Sequence, residues 1–597
     1  MRRTIRIGNA GGYWGDDPGA LRRQIEGGPL DYVTLDYLAE VTMSILQAHR
    51  RKRPELGYAT DFLEQMRDCL PLLVEKDVTV ITNAGGINPL GLGRAIGEVA
   101  RGLGLEVKVG VVDGDDILAD LDRLEDAGEP LANMETGESL APVKDRVTAA
   151  NVYLGAEPVV RALQAGCRVI VTGRVTDTGI TLAPMIHEFG WPEDDWDRLA
   201  AGVVAGHIIE CGTQATGGNF TDWRTVPNLH EVGYPIIEMG EDGVFEVTKH
   251  TGTGGLVSVA TVKEQLVYEM GDPTAYISPD GVARFDTIEL AQAGRNRVRV
   301  SGVKGAPRPE MFKVSMAYDD GWKATGTVLI SGPEATEKAE AAARIFWKRL
   351  GHEFEATHTS VVGTGTIWPE SLDRWETTEV LLRLGARDHA RQKLVDFGVL
   401  LPTLILSGPS GMAVTGGRPK PSPVVAYWPA LIRRSSVTAR VVVLDADGDE
   451  ASETITFTDP APGPAHEPAP VVRRPRARDW PRRTRRVPLR RLAHARSGDK
   501  GDTCNIGLVA RSPEIYDWLR EAITPTVVRR FFKGIVEGKV TRHELHNLGA
   551  LNFLMERALG GGGTVSLMLD PQGKTLSQAL LEMEVEAPVR IIPTEAS

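Results

Sequence analysis

The chain has 597 residues, 42% of them hydrophobic and 25% charged, the composition of an ordinary globular protein of several domains. A formal net charge of -12 argues against general nucleic-acid binding, and no apolar run approaches the roughly 20 residues of a membrane-spanning helix. Four cysteines far apart in sequence (Cys69, Cys167, Cys211, Cys504) offer neither a disulfide framework nor a close-spaced metal motif, so the expected setting is a reducing cytoplasm.

Thr4 to Ile7 reads as a first strand ending in Gly8-Asn-Ala-Gly-Gly-Tyr-Trp, a turn that offers either an anion site at a helix start or a plain loop. Its spacing is not the dinucleotide fingerprint. A second strand begins at Tyr32. Beyond it Asp36 and Glu40, four residues apart, are expected on one helix face, as a catalytic or metal-holding pair or as a solvated helix start. Val78 to Ile81 is a third strand. Asn83 to Gly86 form its turn, and Asn88-Pro89 reads as N-cap and first residue of a helix reaching about Leu103. Gly85, Gly86 and Asn88 are candidate ligand-binding positions there. The next strand, from Leu105, ends in Asp113, Asp115 and Asp116, which suit a divalent cation, a ribose hydroxyl or a capping turn.

The most informative stretch runs from Cys167 to Phe220. Asn151 to Ala165 predicts an amphipathic helix feeding a buried strand, Val169 to Val171, which breaks at Gly173. Ligands of open α/β sheets bind beyond the carboxyl ends of strands, where Arg174, Thr176 and Asp177 are expected to project. A helix over Ala200 to Glu210 then leads into a loop rich in Gly and Thr. Asp177, His207 and Glu210 are the candidate proton-transfer groups, Cys211 is the alternative nucleophile, and Arg174 is a candidate ligand contact. Further on, Gly252, Gly254 and Gly255 precede a helix containing Val259 and Val262, a second candidate anion cradle.

From Arg297 to Ile330 alternating segments predict antiparallel strands, followed by a helix over Glu334 to Leu350. Residues 459–486 form a Pro- and Arg-rich linker. A separate domain over 487–592 follows, with a strand over Pro488 to Ala495, a polar turn in which Ser497, Asp499 and Lys500 are candidate anion contacts, and a strand over Thr564 to Asp570. The fold class expected is α/β: a large, doubly wound, mostly parallel-sheet module over residues 1–458, then a small α+β domain.

Five segments taken together resemble one family. Gly8-Asn-Ala-Gly-Gly-Tyr, Ile81-Thr-Asn-Ala-Gly-Gly-Ile-Asn-Pro, Val171-Thr-Gly-Arg-Val-Thr-Asp-Thr and Glu210-Cys-Gly-Thr-Gln-Ala-Thr-Gly-Gly-Asn resemble the acyclic terpene utilisation (AtuA) family. His494-Ala-Arg-Ser-Gly-Asp-Lys-Gly-Asp resembles that family's C-terminal ferredoxin-like domain. The resemblance implies a place in the breakdown of citronellol- and geraniol-type acids as coenzyme A thioesters, and it supplies no catalytic residue set. The expected function is an enzyme acting on a branched or unsaturated acyl-CoA, or its acid, by hydratase, lyase or acyl-transfer chemistry. The alternative is a non-catalytic scaffold or acyl-CoA-binding partner of the pathway's carboxylase and hydratase enzymes. No cofactor or metal is expected beyond coenzyme A as substrate carrier. The expected partners are a small-molecule substrate and further copies of the chain, with neither nucleic acid nor membrane.

Overall fold

The computed structural model of the protein describes residues 4–38, 40–372, 377–460, 480 and 483–594. The linker expected over 459–486 therefore lies largely outside the described residues. The chain folds as two compact units, one of Met1–Ala317, Tyr427–Ala477 and His543–Ala550, the other of Tyr318–Ala426, Arg478–Arg542 and Leu551–Ser597.

The first unit opens β1 (Thr4–Asn9), α1 (Ala20–Glu26), β2 (Tyr32–Leu35), α2 (Glu40–Lys52), α3 (Thr60–Lys76), β3 (Thr79–Thr82), α4 (Pro89–Gly102) and β4 (Val109–Asp113). It continues with α5 (Leu121–Asp126), β5 (Val147–Val152), α6 (Glu157–Gln164), β6 (Val169–Thr172), α7 (Asp177–Phe189) and α8 (Trp196–Ile209). Strands β1, β2, β3, β6 and β4 lie side by side in that order, all parallel. Side chains alternate across a strand, so Val80, Val109, Val111, Val169 and Val171 face a core shared with Leu21 and Ile25 of α1, Phe62 and Met66 of α3, and Leu92 and Ile96 of α4. The intervening Ile81 and Ile170 are equally buried. Both faces of the parallel run are thus covered, which is why its strands read as unbroken Val and Ile.

The expected mostly parallel sheet is corrected. Strands Pro235–Gly240, Phe245–Lys249, Arg297–Ser301 and Glu289–Gly294 extend it from β1, and Thr438–Leu444 and Glu450–Thr456 extend it from β4. In this 11-stranded sheet four neighbour pairs are parallel and six antiparallel. The antiparallel strands come from distant sequence and show only as separate alternating segments. The helix expected over Asn151 to Ala165 is also two elements: Asn151 lies in β5, which ends at Val152, and α6 starts at Glu157.

In the second unit, Glu379–Asp388 pairs with Ala356–Val362 and with Trp322 to Ser331, and its apolar face packs on Ala335–Leu350 and Arg391–Leu400. The C-terminal segment builds a four-stranded sheet from Ala493–Lys500, Thr503–Ala510, Ala550–Met555 and Val540–Leu545, in that order. Thr564 to Asp570 is loop, not strand; the Asp570 carboxylate caps the following turn by accepting from the Lys574 and Thr575 amides.

Candidate functional site

The carboxyl ends of the parallel strands carry the site, and two backbone contacts fix its shape. Helix α8 opens at Trp196 because the Asp195 side chain accepts from the Arg198 amide, one turn before the expected start. It crosses the beginning of α7 so closely that a Cβ on Gly206 would lie 2.7 Å from the Thr178 Cα. That approach sets the last turn of α8, with His207 and Glu210, beside Asp177, the first residue of α7. At the end of β6 a Cβ on Gly173 would lie 2.0 Å from Asp115 Oδ1. The missing side chain lets the Asp115 carboxylate accept from the Arg174 amide at 2.9 Å and from Asn151 Nδ2 at 2.8 Å. The loop holding Arg174 is thereby tied to β5 and to the loop after β4.

Arg174 is only 4% exposed. Its Nη1 donates to the Leu38 carbonyl at 2.5 Å, its Nη2 lies 3.4 Å from Asp177 Oδ1, and its guanidinium stands 4.3 Å from the centre of the Tyr153 ring. Asp36 sits in the loop after β2 and not on the helix, turned back so that its Oδ1 accepts from Asn83 Nδ2 at 2.6 Å and from the Leu38 amide at 3.1 Å. Glu40 begins α2, and its side chain lies outside the described residues. Burial, then the negative charge of Asp177, pushes the Asp36 carboxyl well above the usual carboxylate range, while Arg174 and Asn83 pull it back.

His207 and Glu210 form a buried pair. His207 Nε2 lies 3.1 Å from the Gln265 carbonyl oxygen, an acceptor only, so that nitrogen carries hydrogen. The Gln265 side chain returns a bond to the His207 carbonyl at 3.0 Å, and Tyr276 and Phe285 pack edge-on to the imidazole. Nδ1 therefore faces Glu210 Oε1, 3.1 Å away. The two side chains are thus close neighbours in a corner shut off from water, 2% and 12% exposed. Burial raises the Glu210 carboxyl, the imidazole draws it down, and Asp177 and Glu269 raise it further. Asp177, 30% exposed against 12% for Glu210, is the more open carboxylate. Burial, then Glu210 and Glu269, hold the Cys211 thiol well above its ordinary range. It stays protonated, which disfavours it as a nucleophile.

The remaining expected ligand positions lie elsewhere or are already engaged. Asn88 is the expected N-cap: its Oδ1 accepts from the Gly91 amide, and its Nδ2 donates to the Glu55 and Leu56 carbonyls. The Gly86 amide donates to the Asn83 carbonyl, and Gly85 packs on the Thr172 carbonyl at the end of β6. The cradle expected at Gly252, Gly254 and Gly255 is corrected, because the Gly254 and Gly255 amides donate to the Glu231 and Pro227 carbonyls and the helix opens only at Val259, capped by Ser258. The anion-receiving turn expected at Ser497, Asp499 and Lys500 is corrected too. The strand runs through it, the buried Ser497 hydroxyl accepts from the Ser577 amide, Asp499 pairs with Lys574 at 2.9 Å, and Lys500 is exposed. Asp113, Asp115 and Asp116 diverge, onto Arg440, the Arg174 amide and the Leu118 amide respectively.

Sequence reasoning missed Asn151, Tyr153, Gln265 and Tyr276, none of which stands in a motif, and it offered Asp115 a cation, a ribose hydroxyl or a capping turn where the fold gives it the Arg174 amide.

A family model described as acyclic terpene utilisation family protein AtuA matches residues 5–443. The chain belongs to the AtuA family. A second model, the AtuA ferredoxin-like domain, matches residues 487–586. No curated protein and no solved structure matches the chain. Membership ties this member of the AtuA family to acyclic terpene utilisation, and all four segments of the larger module that resemble the family lie in β1, β3, β6 and the end of α8 or the turns that follow them. No helix among its described residues is long and apolar enough to cross a membrane.

Proposed function

We propose that this AtuA protein is an enzyme that moves a proton at the carbon next to the carbonyl of a branched or unsaturated acyl-CoA, or of the acid it releases, as hydration and C–C lyase reactions both require. The observation that carries the reading is the buried His207–Glu210 pair within electrostatic range of Asp177, which itself lies 3.4 Å from Arg174. Two carboxyl groups of unlike surroundings serve as an acid and a base in one site. Glu210, its carboxyl raised by burial and set against His207, acts as the acid. Asp177, the more open and beside a guanidinium, acts as the base, and Arg174 orients the carboxylate or thioester oxygen. Acyl transfer through Cys211 is disfavoured because its thiol is held protonated.

The test is to incubate the purified protein with citronellol- and geraniol-type acyl-CoA thioesters and follow them by mass spectrometry. Conversion by the parent, lost in Asp177→Asn and Glu210→Gln, supports the proposal. Absence of conversion across the thioesters and free acids, or conversion that survives both substitutions, overturns it.

A further inference from the structure

A cavity of about 350 Å³ lies in the first unit between α6, the end of α7 and the segments holding Asp280 and Arg308. At 1.5 Å per residue, its nearest α7 wall residue, Ile186, stands about 14 Å along the helix from Asp177, so it is separate from the site above. Its volume is within the range of small-molecule sites.

The wall is half apolar and half charged. Val160, Ile186, Trp191 and Leu199 supply the apolar part. Trp191 is fixed from outside by stacking on Phe189, ring centres 5.4 Å apart, and by donating its indole N–H to the Glu241 carbonyl at 3.0 Å. The charged part holds three carboxylates, Glu157, Glu193 and Asp280, and two guanidiniums, Arg161 and Arg308. Arg308 lies 3.4 Å from Glu193, Arg161 lies 3.9 Å from Glu157, and Asp280 faces the cavity with Arg434 within electrostatic range.

Asp280 is the unusual member. Its Oδ1 accepts from the Ala156 amide at 2.8 Å, and a Cβ on Gly155 would lie 2.4 Å from that oxygen, so the carboxylate is wedged in one orientation. Its Oδ2 is buried and accepts no hydrogen bond. A buried carboxylate oxygen without a donor is costly, and burial accordingly raises the Asp280 carboxyl to about 6 and raises Glu157 as well. The cavity lacks a donor at Asp280 while its guanidiniums hold only long contacts to carboxylates. A simple cation would leave the guanidiniums on their long contacts, and a simple anion would leave Asp280 Oδ2 bare.

We propose that this cavity binds a small zwitterion on an apolar body, of the α-amino-acid class, with its ammonium on Asp280, its carboxylate on Arg308 and Arg161, and its side chain against Trp191, Ile186 and Leu199. Nothing in this assignment depends on the reaction at Asp177 and Glu210.

Isothermal titration of the full chain with L-leucine and L-phenylalanine tests it, alongside the two half-ligands 3-methylbutylamine and 4-methylpentanoate. Saturable binding of at least one amino acid is expected, at least tenfold tighter than either half-ligand. Asp280→Asn retains an oxygen for the Ala156 amide and is expected to weaken binding at least tenfold. Arg308→Gln, at a side chain on the cavity rim, is expected to weaken the amino acid while leaving 3-methylbutylamine unchanged. Binding of neither amino acid, a half-ligand that binds as tightly as the amino acids, or affinities unchanged in both variants overturns the proposal.

Discussion

Asp115 gives the most quantitative prediction, because one buried carboxylate both anchors the Arg174 loop and titrates far from its ordinary value. Burial raises it from 3.8 to about 7, against the bonds from the Arg174 amide and Asn151 that pull the other way. A carboxyl that holds its proton more tightly in the folded chain than in the unfolded one stabilises the fold at low pH. That contribution is complete below the unfolded value and is lost as pH rises through the folded value. Between pH 5 and pH 8 the loss is roughly 3 kcal/mol by proton linkage. Asp115→Asn removes the titration but leaves an oxygen where Oδ2 accepts both bonds. The variant is therefore expected to gain on the parent by roughly 3 kcal/mol in urea denaturation between pH 5 and pH 8. A difference between variant and parent that stays constant over that interval, or that moves the opposite way, refutes the reasoning.

Three further outcomes follow from the same geometry. Gly206→Ala places a methyl 2.7 Å from the Thr178 Cα, so α7 and α8 must separate; a loss of about 1–3 kcal/mol in urea denaturation is expected, with activity falling further than stability. Glu210→Gln and Asp177→Asn are each expected to lower turnover about 10²–10⁴-fold in steady-state assays, with little change in urea midpoint. Cys211, held as the thiol by burial and by Glu210 and Glu269, is expected to react with iodoacetamide at pH 8 at least about tenfold more slowly than a free thiol, followed by peptide mass spectrometry, and Cys211→Ala is expected to keep most of the turnover.

What the sequence announced was local. The Val-Ile run of β6, the turn after β3 and the Asn88-Pro89 cap could be read because each depends on a few adjacent residues. Asp177, His207 and Glu210 could be named because one stands at a strand end and two at the end of a helix. Their convergence could not, since it follows from Gly206 meeting Thr178 across two helices. Asp36 was expected on a helix face and instead turns back to Asn83, 47 residues away, because a buried carboxylate takes whatever donor the fold brings to it. The Ser497 segment failed for a related reason. Polar letters suggest a turn, yet Gly498 and Asp499 lie in a strand opposite Asn505 and Cys504, and the buried Asn505 amide donates to Asn552 within the same sheet. Strand propensity yields there to partners supplied from elsewhere in the chain.

Solvent hydrogen exchange measures proton transfer at the His207–Glu210 pair and Asp177 without requiring the whole reaction to be known. In deuterium oxide, the protein is predicted to incorporate deuterium next to the carbonyl of a branched acyl-CoA or its acid, and Asp177→Asn and Glu210→Gln are predicted to abolish incorporation while remaining folded. Exchange that persists in both variants, or its absence from the unaltered protein across the thioester and acid series, would contradict the assignment.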